Sequence, residues 1–294
     1  GDWRRAESLL NEFAASYPSH ELNARLPAKL IVIYEAMGAW GQAAGLLSAQ
    51  AERSGDPEQA RQSLLTAAEY YDKADNWEAA RDHYRQYAHS YPEPAGELIE
   101  VEQRLVELYR QKGDISSRDF WLQRVIKSAR QAPTERSRYL AASAATTLAD
   151  APYQRFKALR LTLPIKSSLS NKRDALDTAL KAQQRVLDFK VADFTTRANY
   201  TIGEIYLQLA RDLMDSERPD NLNVLELEQY DILLEEQAYP FEEKAIDLHE
   251  ANAQRAWSGI YDDWVKASLK SLAGILPARY NKTEFTVEAA HDIR

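Results

Sequence analysis

A recurring pattern is clearest in the segment ADNWEAARDHY, which spans residues Ala74 to Tyr84. Two other segments align with it, MGAWGQAAGLL (Met37–Leu47) and GDWRRAESLL (Gly1–Leu10), and all three place a Trp three residues before an Ala. Fainter copies follow at 111–121 and 149–159. The marker positions of the five copies are Trp3, Trp40, Trp77, Ile115 and Tyr153, which are spaced by 37, 37, 38 and 38 residues. A fixed period of this length predicts a stack of repeated structural units.

A tyrosine lies six residues before three of the markers, at Tyr34, Tyr71 and Tyr109. Small residues at the Ala positions would allow two helices to approach closely, and large rings would fill the wedge between neighbouring units. One helical pair cannot bury its apolar face alone, so such units must stack. We therefore expect the rings of the Trp markers and of these tyrosines to lie in the core. Three further tryptophans fall outside the register and are candidate surface anchors: Trp121, Trp257 and Trp264.

The pattern of aromatic, small, aromatic and Pro positions resembles the tetratricopeptide repeat, whose units are two antiparallel helices. The resemblance is good over residues 1–132 and fades beyond, where Arg118 and Phe156 replace the small Ala. The period is about three residues longer than the usual 34. The resemblance implies an all-α, right-handed α-solenoid of helical hairpins that acts as a protein–protein interaction scaffold and not as an enzyme. Since residue 1 stands directly before the second helix of a unit, we expect the parent protein to be longer.

The composition indicates a folded chain with an uneven charge. Hydrophobic residues make up 45% and charged residues 28% of the chain, and 37 Lys and Arg against 45 Asp and Glu give a net charge of −8. The segment 217–250 holds eleven acids and two bases, so it carries −9 and the remainder about +1. This balance disfavours nucleic-acid binding, which needs clustered Lys and Arg. The absence of Cys excludes disulfides and Cys-ligated zinc, and no apolar run approaches the length of a membrane span.

Proline, glycine and capping signals predict the helices. The predicted ranges are 2–17, 20–37, 40–54, 57–75, 77–90, 95–112, 115–130, 134–150, 152–163, 171–190, 193–216, 223–238, 240–256 and 259–276. After Pro164 the pattern changes, and a polar run, Ser167–Ser170, reads as a break between helices. We therefore predict two regions, tetratricopeptide-like repeats over 1–164 and a C-terminal helical extension over 165–294 with further degenerate hairpins.

The C-terminal region contains a distinctive run, AYPFEEKAIDLHEANAQR (Ala238–Arg255) followed by GIYDDWVKASLKSLAGILPARYNK (Gly259–Lys282). It resembles the C-terminal end of large bacterial repeat proteins described as components of TonB-type energy-transduction systems. The resemblance covers about 85 residues from about Asn199. It implies a place in a Gram-negative cell envelope, in the periplasm, beside inner-membrane motors of the ExbB/ExbD kind, and it implies no particular binding residues.

Two alternatives for the function remain open from the sequence. The unit from Phe13 to Ala43, with Tyr17-Pro18-Ser19 after an Ala-rich helix, resembles repeats of outer-membrane assembly proteins and Tol–Pal coordinating proteins. The chain could also be the superhelical accessory region of an envelope enzyme whose catalytic domain lies elsewhere in the parent protein.

No catalytic residue, cofactor or metal site is predicted. The five histidines form neither an HExxH motif nor an i,i+4 pair, whereas a zinc site needs three or four convergent ligands. The chain has no Gly-rich phosphate loop, no GxSxG motif and no Ser/His/Asp order. Adjacent acids such as Glu235 and Glu236 diverge by about 100° on a helix, which disfavours a paired-carboxylate site.

The repeat register predicts which residues line the concave face. The second, fifth, ninth and twelfth residues of each first helix should face inward, and the polar ones are candidates for partner binding. These candidates are Glu35, Gln62, Glu69, Asp72, Glu100, Gln103, Glu107 and Arg110. Repeats that bind chaperone tails hold a terminal carboxylate with Lys and Asn at such sites, where this chain has Ala28, Val32 and Leu65. The acids of this face instead favour a basic or neutral helix or extended segment as the partner.

Overall fold

The structure, a computed structural model, describes residues 2–282. This part of the chain consists of α-helices joined by turns and contains no β-strand, which confirms the predicted all-α class. The chain divides into two compact units, Gly1–Ser137 and Arg138–Arg294. The predicted boundary at residue 164 concerned where recognisable repeats end, and it stays a prediction.

The first unit is a series of antiparallel helical hairpins in which each helix packs against the next one along the chain. Its helices are α1 (Trp3–Ser16), α2 (Leu26–Met37), α3 (Trp40–Arg53), α4 (Pro57–Lys73), α5 (Trp77–Ser90), α6 (Ala95–Lys112) and α7 (Ile115–Gln131), and a 3₁₀ turn (Glu21–Arg25) precedes α2. The first helices of successive repeats are therefore α2, α4 and α6, and the second helices are α3, α5 and α7.

The core of the first unit follows the predicted alternation of small and large residues. Ala43 and Ala80 are fully buried where helices approach. The ring of Trp40 lies 5.1 Å from the ring of Tyr70 in the next hairpin, and Lys73 Nζ of the same helix covers it at 4.8 Å. Rings thus lie between successive hairpins, as the sequence predicts, but of the rings expected in the core only Tyr34 and Tyr109 are buried. Trp40, Tyr71 and Trp77 are partly buried.

Trp3 departs from this prediction, because its side chain is 41% exposed. One repeat earlier, the positions of Tyr70 and Lys73 are occupied by Ile33 and Ala36. These shorter side chains leave the indole less covered than the indole of Trp40.

The second unit is built around α10, which packs against α9, α11 and α12. Its helices are α8 (Glu135–Ala158), which begins just before the division, α9 (Ile165–Leu187), α10 (Ala192–Met214), α11 (Val224–Gln254), α12 (Asp263–Ile275) and α13 (Pro277–Tyr280), with a 3₁₀ turn (Arg255–Ser258) after α11. The buried Lys172 ties α9 to its neighbours. Its Nζ donates to the carbonyls of Phe156 and Leu159 at 2.7 and 2.8 Å and pairs with Asp212 at 2.5 Å.

Three predicted breaks between helices are wrong. The ranges 134–150 and 152–163 form one helix, α8, with Pro152 inside it, and 223–238 and 240–256 form α11 with Pro240 inside it. A proline removes one backbone donor and bends a helix, but packing can hold both halves. The polar run Ser167–Ser170 lies inside the first two turns of α9, which begins at Ile165, and does not interrupt it. Ser168 Oγ donates to the carbonyls of Thr162 and Ile165 there.

Candidate functional site

A groove of the first unit lies between the first helices α4 and α6, with α5 at its floor. It encloses a cavity of about 480 Å³. The lining residues are Leu65, Glu69, Tyr84, Gly96, Glu97, Glu100, Val101 and Arg104. Three glutamates and one arginine give this lining a formal charge of −2. We call it the α4–α6 groove.

Arg104 closes one end of the α4–α6 groove by connecting the two first helices. Its Nε donates to Asp72 Oδ2 of α4 at 2.5 Å, and its Nη1 donates to Glu107 Oε2 of its own helix at 2.7 Å. The hydrogen bond with Asp72 is the main reason why the pKa of Arg104 is raised. Two carboxylates thus already neutralise this guanidinium.

Arg61 forms a second bridge between α4 and α6. Its Nη2 donates to Glu58 Oε1 at 2.6 Å, while its Nη1 donates to Tyr87 Oη at 2.7 Å and to Glu97 Oε2. Tyr87 in turn donates its hydroxyl to Glu97 Oε2 at 2.9 Å. The hydrogen bonds with Glu58 raise the pKa of Arg61 most. This guanidinium, like that of Arg104, is engaged within the first unit.

Glu69 lies in the groove between these two bridges. Packing around its carboxyl raises its pKa, although the side chain reaches the surface; Lys73 opposes this rise, and the charges of Glu97 and Asp72 add to it. On the floor, burial raises the pKa of Tyr84, and the charges of Asp72 and Glu69 raise it further. A raised carboxyl pKa means that the ionised form is disfavoured, and a nearby cation would relieve this cost.

The structure gathers five of the eight residues predicted to bind a partner. Glu69 and Glu100 line the groove. Asp72 and Glu107 hold Arg104 at its end, and Gln103 donates to Glu107 at 3.5 Å. Their role in partner binding stays a prediction.

The other three predicted residues lie elsewhere. Glu35 accepts a hydrogen bond from the Tyr70 hydroxyl at 2.6 Å, one repeat away from the groove. Gln62 lines a separate depression beside α3 and donates to Glu58 at 3.2 Å. Arg110 is exposed near the end of α6 and is not part of the groove lining.

The sequence register missed Arg61, Glu97 and Arg104, which organise the groove. They fall one or more positions away from the register that was taken to face inward. One signal was available for Arg104, which stands four residues after Glu100 and three before Glu107. Opposite charges at these helical spacings can pair, and Arg104 does pair with Glu107.

The three tryptophans outside the register differ strongly in exposure. Trp121 is buried and cannot be a surface anchor. Trp264 is partly buried, with its ring 5.5 Å from that of Tyr200. Trp257, in the 3₁₀ turn after α11, is 93% exposed. Trp257 alone of these three has the exposure that an anchor requires.

Neither a metal centre nor a membrane span is found in the part of the chain that the structure describes. Between residues 2 and 282, no group of three or more His, Asp or Glu side chains is arranged to hold a metal ion. Over the same range, every helix is too short or too polar to cross a bilayer.

Comparison with known proteins bears on the helices that form the groove. Residues 62–94 match the family model of the tetratricopeptide repeat. This 33-residue segment is therefore similar to a tetratricopeptide repeat. The matched segment runs from α4 through α5 and thus includes one wall and the floor of the α4–α6 groove. Together with the helical architecture, it gives an all-α, tetratricopeptide-like solenoid, a class of fold that presents extended surfaces to protein partners.

The chain was also compared with curated proteins and with solved structures. Proteins with a curated description give no match. A solved structure, the crystal structure of BtubC (BKLC) from P. vanneervenii, is similar at 12% sequence identity and a TM-score of 0.36, and the similarity covers 89% of this chain and 91% of that chain.

Proposed function

We propose that the protein is a protein–protein interaction scaffold whose α4–α6 groove binds a partner segment through a basic side chain. The negative charge of the groove lining carries this proposal, because Glu69, Glu97 and Glu100 share the lining with one arginine, Arg104, which is already paired with Asp72 and Glu107. A Lys or Arg of the partner would compensate this charge inside a groove with apolar walls at Leu65 and Val101.

The pairing of the two arginines that bridge α4 and α6 argues against an acidic partner. Arg61 is paired with Glu58 and Glu97, and Arg104 is paired with Asp72 and Glu107. An incoming carboxylate would have to displace one of these partners and leave it unpaired, which is costly for partly buried charges. Charge complementarity therefore selects a basic segment.

Selection of peptides from a random library with the full chain tests the proposal. We expect the selected peptides to be enriched in Lys or Arg. Glu69→Lys should weaken their binding by at least about tenfold, and Glu69→Gln should weaken it less. Glu52→Lys, an equal charge reversal at an exposed position on α3, is the matched control. Selected peptides without basic residues, or equal binding to Glu69→Lys and Glu52→Lys, would contradict the proposal.

We further propose that the scaffold works in a bacterial cell envelope, in the periplasm, with a TonB- and ExbB/ExbD-type machine. The support is the resemblance of residues 238–282 to the ends of such repeat proteins. An outer-membrane assembly role, a Tol–Pal-type coordinating role and an accessory role in an envelope enzyme are the alternatives. Fractionation of cells that express the parent protein, followed by isolation of its complexes, tests the proposal. Recovery with the cytosol would refute the location, and recovery with one of the alternative machines would replace the assignment.

A further inference from the structure

The second unit carries a groove of its own, bounded by α10, α11 and the end of α12. Two adjacent cavities of about 460 and 440 Å³ share the lining residues Tyr239, Glu242 and Ile275. Apolar side chains contribute much of the remaining wall: Leu207, Met214, Ile246 and Leu276. Tyr239 stands between the cavities, and its side chain is 58% exposed. We call this surface the Tyr239 groove.

An exposed apolar stripe on α11 leads into the Tyr239 groove. Leu225, Ile232 and Tyr239 are spaced by seven residues, or about two helical turns, and therefore lie along one side of the helix. Each of these three side chains is more than half exposed. Large apolar side chains that stand exposed on one side of a helix can mark an interaction site. The stripe extends over about 21 Å, since a helix rises by 1.5 Å per residue.

The charges around the Tyr239 groove are almost all negative. Its lining contains one basic residue, Arg211, and five acidic residues, Asp215, Glu235, Glu242, Glu243 and Asp247, for a formal charge of −4. Four of these five acids lie in the segment 217–250, which accounts for the acidity of the whole chain. The surface thus combines an apolar centre with an acidic border.

We propose that the stripe and the Tyr239 groove bind an amphipathic helix of a partner protein whose apolar side is flanked by Lys and Arg. Burial of the stripe would provide most of the affinity, and the acidic border would provide selectivity and fast association. A second copy of this chain would be disfavoured as the partner, because two acidic borders would come together. An anionic lipid surface would be disfavoured too, because it would repel the acidic border. The proposal is independent of the α4–α6 groove, which lies in the other unit.

Binding of a designed peptide to the full chain tests this inference. The probe is a fluorescent amphipathic helix of about 18 residues, composed of Leu and Lys at helical spacing. Two comparison peptides replace Leu with Ser or Lys with Glu. We expect only the Leu/Lys peptide to bind well in an anisotropy titration, with a Kd that rises with salt. The double variant Ile232→Ser/Tyr239→Ser and the triple variant Glu235→Lys/Glu242→Lys/Glu243→Lys should each raise the Kd by at least about tenfold.

Matched controls distinguish binding at this surface from nonspecific electrostatic or hydrophobic binding to other parts of the chain. Trp257→Ser removes a still more exposed ring of the same unit, and Glu52→Lys reverses an exposed charge of the other unit. Each should change the Kd by less than about twofold. Circular dichroism checks that every variant remains helical. Equal binding by the Leu-to-Ser peptide would overturn the proposal, because charge alone would then suffice. The proposal would also be overturned if Glu69→Lys lost peptide binding while the stripe variants kept it. It would likewise be overturned if sedimentation showed a dimer of this chain that the stripe variants dissociate.

Discussion

Gly203 and His249 form a close contact between two helices of the second unit. Both residues are buried, Gly203 on α10 and His249 on α11. A Cβ placed at position 203 would lie 2.7 Å from His249 Nε2, closer than real Cβ contacts allow. The same nitrogen lies 3.4 Å from Glu204 Oε1. The imidazole is therefore confined by its neighbours, and the position opposite it requires glycine.

Gly203→Ala should lower the free energy of unfolding by about 1–3 kcal/mol, because overpacking outweighs the gain in helix propensity. Urea denaturation measures this change. Gly274→Ala is the control, since a Cβ at position 274 meets nothing within 4 Å. In the double variant Gly203→Ala/His249→Ala the methyl group gains space, so the effect of Gly203→Ala should shrink in the His249→Ala background. Equal effects of Gly203→Ala in both backgrounds would contradict the steric explanation.

Sequence reasoning identifies some residues of this kind and misses others. Close helix contacts restrict a position to a small residue, and this made Ala43 and Ala80 recognisable in the repeat register. Ion pairs between helices leave no comparable pattern in the sequence. Arg61 and Glu97 are 36 residues apart, and Arg104 and Asp72 are 32 apart. Their pairing depends on the rotation of each helix about its axis, which the register predicts only approximately.

At the scale of helices, the residue before each second helix is also a repeated feature, because in most repeats it caps that helix. Asp2, Asn76 and Asp114 precede α1, α5 and α7, and each accepts a backbone hydrogen bond through its side chain. Ala39 occupies the equivalent place before α3 and makes no such bond. Its backbone angles, φ −82° and ψ 57°, are close to those of Asn76, φ −87° and ψ 75°. The α3 helix therefore lacks a cap that its backbone can accommodate.

Ala39→Asn should raise the free energy of unfolding by about 0.5–1 kcal/mol, because the new side chain can accept a hydrogen bond from the first turn of α3. Asn76→Ala should have the opposite effect, a loss of about 1 kcal/mol. Urea denaturation of both variants provides the measurement. No stabilisation by Ala39→Asn, combined with the expected loss in Asn76→Ala, would show that the half-buried site before α3 cannot admit the larger side chain.

Helix ends were predicted well where a cap or glycine marks them and poorly at internal prolines. Gly38 and Gly113 end α2 and α6 with positive φ, as expected for these positions. Pro240 does not end α11, because buried residues anchor the helix on both sides, with Leu234 before the proline and Ala245 after it. Whether packing holds both halves is a tertiary property, and the local sequence does not contain it.

Over the whole molecule, the packing of tyrosines between helices links stability to alkaline pH. Burial, as the largest cause, raises the pKa of Tyr70, Tyr87 and Tyr153 to about 12. An unfolded tyrosine titrates near pH 10. Between pH 10 and 12 the folded chain therefore binds more protons than the unfolded chain, and stability falls as the pH rises. The contribution of these groups is complete below pH 10 and is lost above 12.

Tyr153 offers the clearest test of this linkage, since nearby Glu204 and Tyr200 add to the effect of burial on its pKa. Tyr153→Phe removes the titrating group and should lose less stability than the parent between about pH 10 and 12, by up to about 2 kcal/mol. Lysine titration acts on both proteins alike, so the difference between their urea unfolding curves isolates the tyrosine. Tyr261→Phe, at an exposed position of the same unit, should follow the parent. If Tyr153→Phe also followed the parent at every pH, the hydroxyl of Tyr153 would be hydrated in the folded protein, and the tight packing of the second unit around it would be refuted.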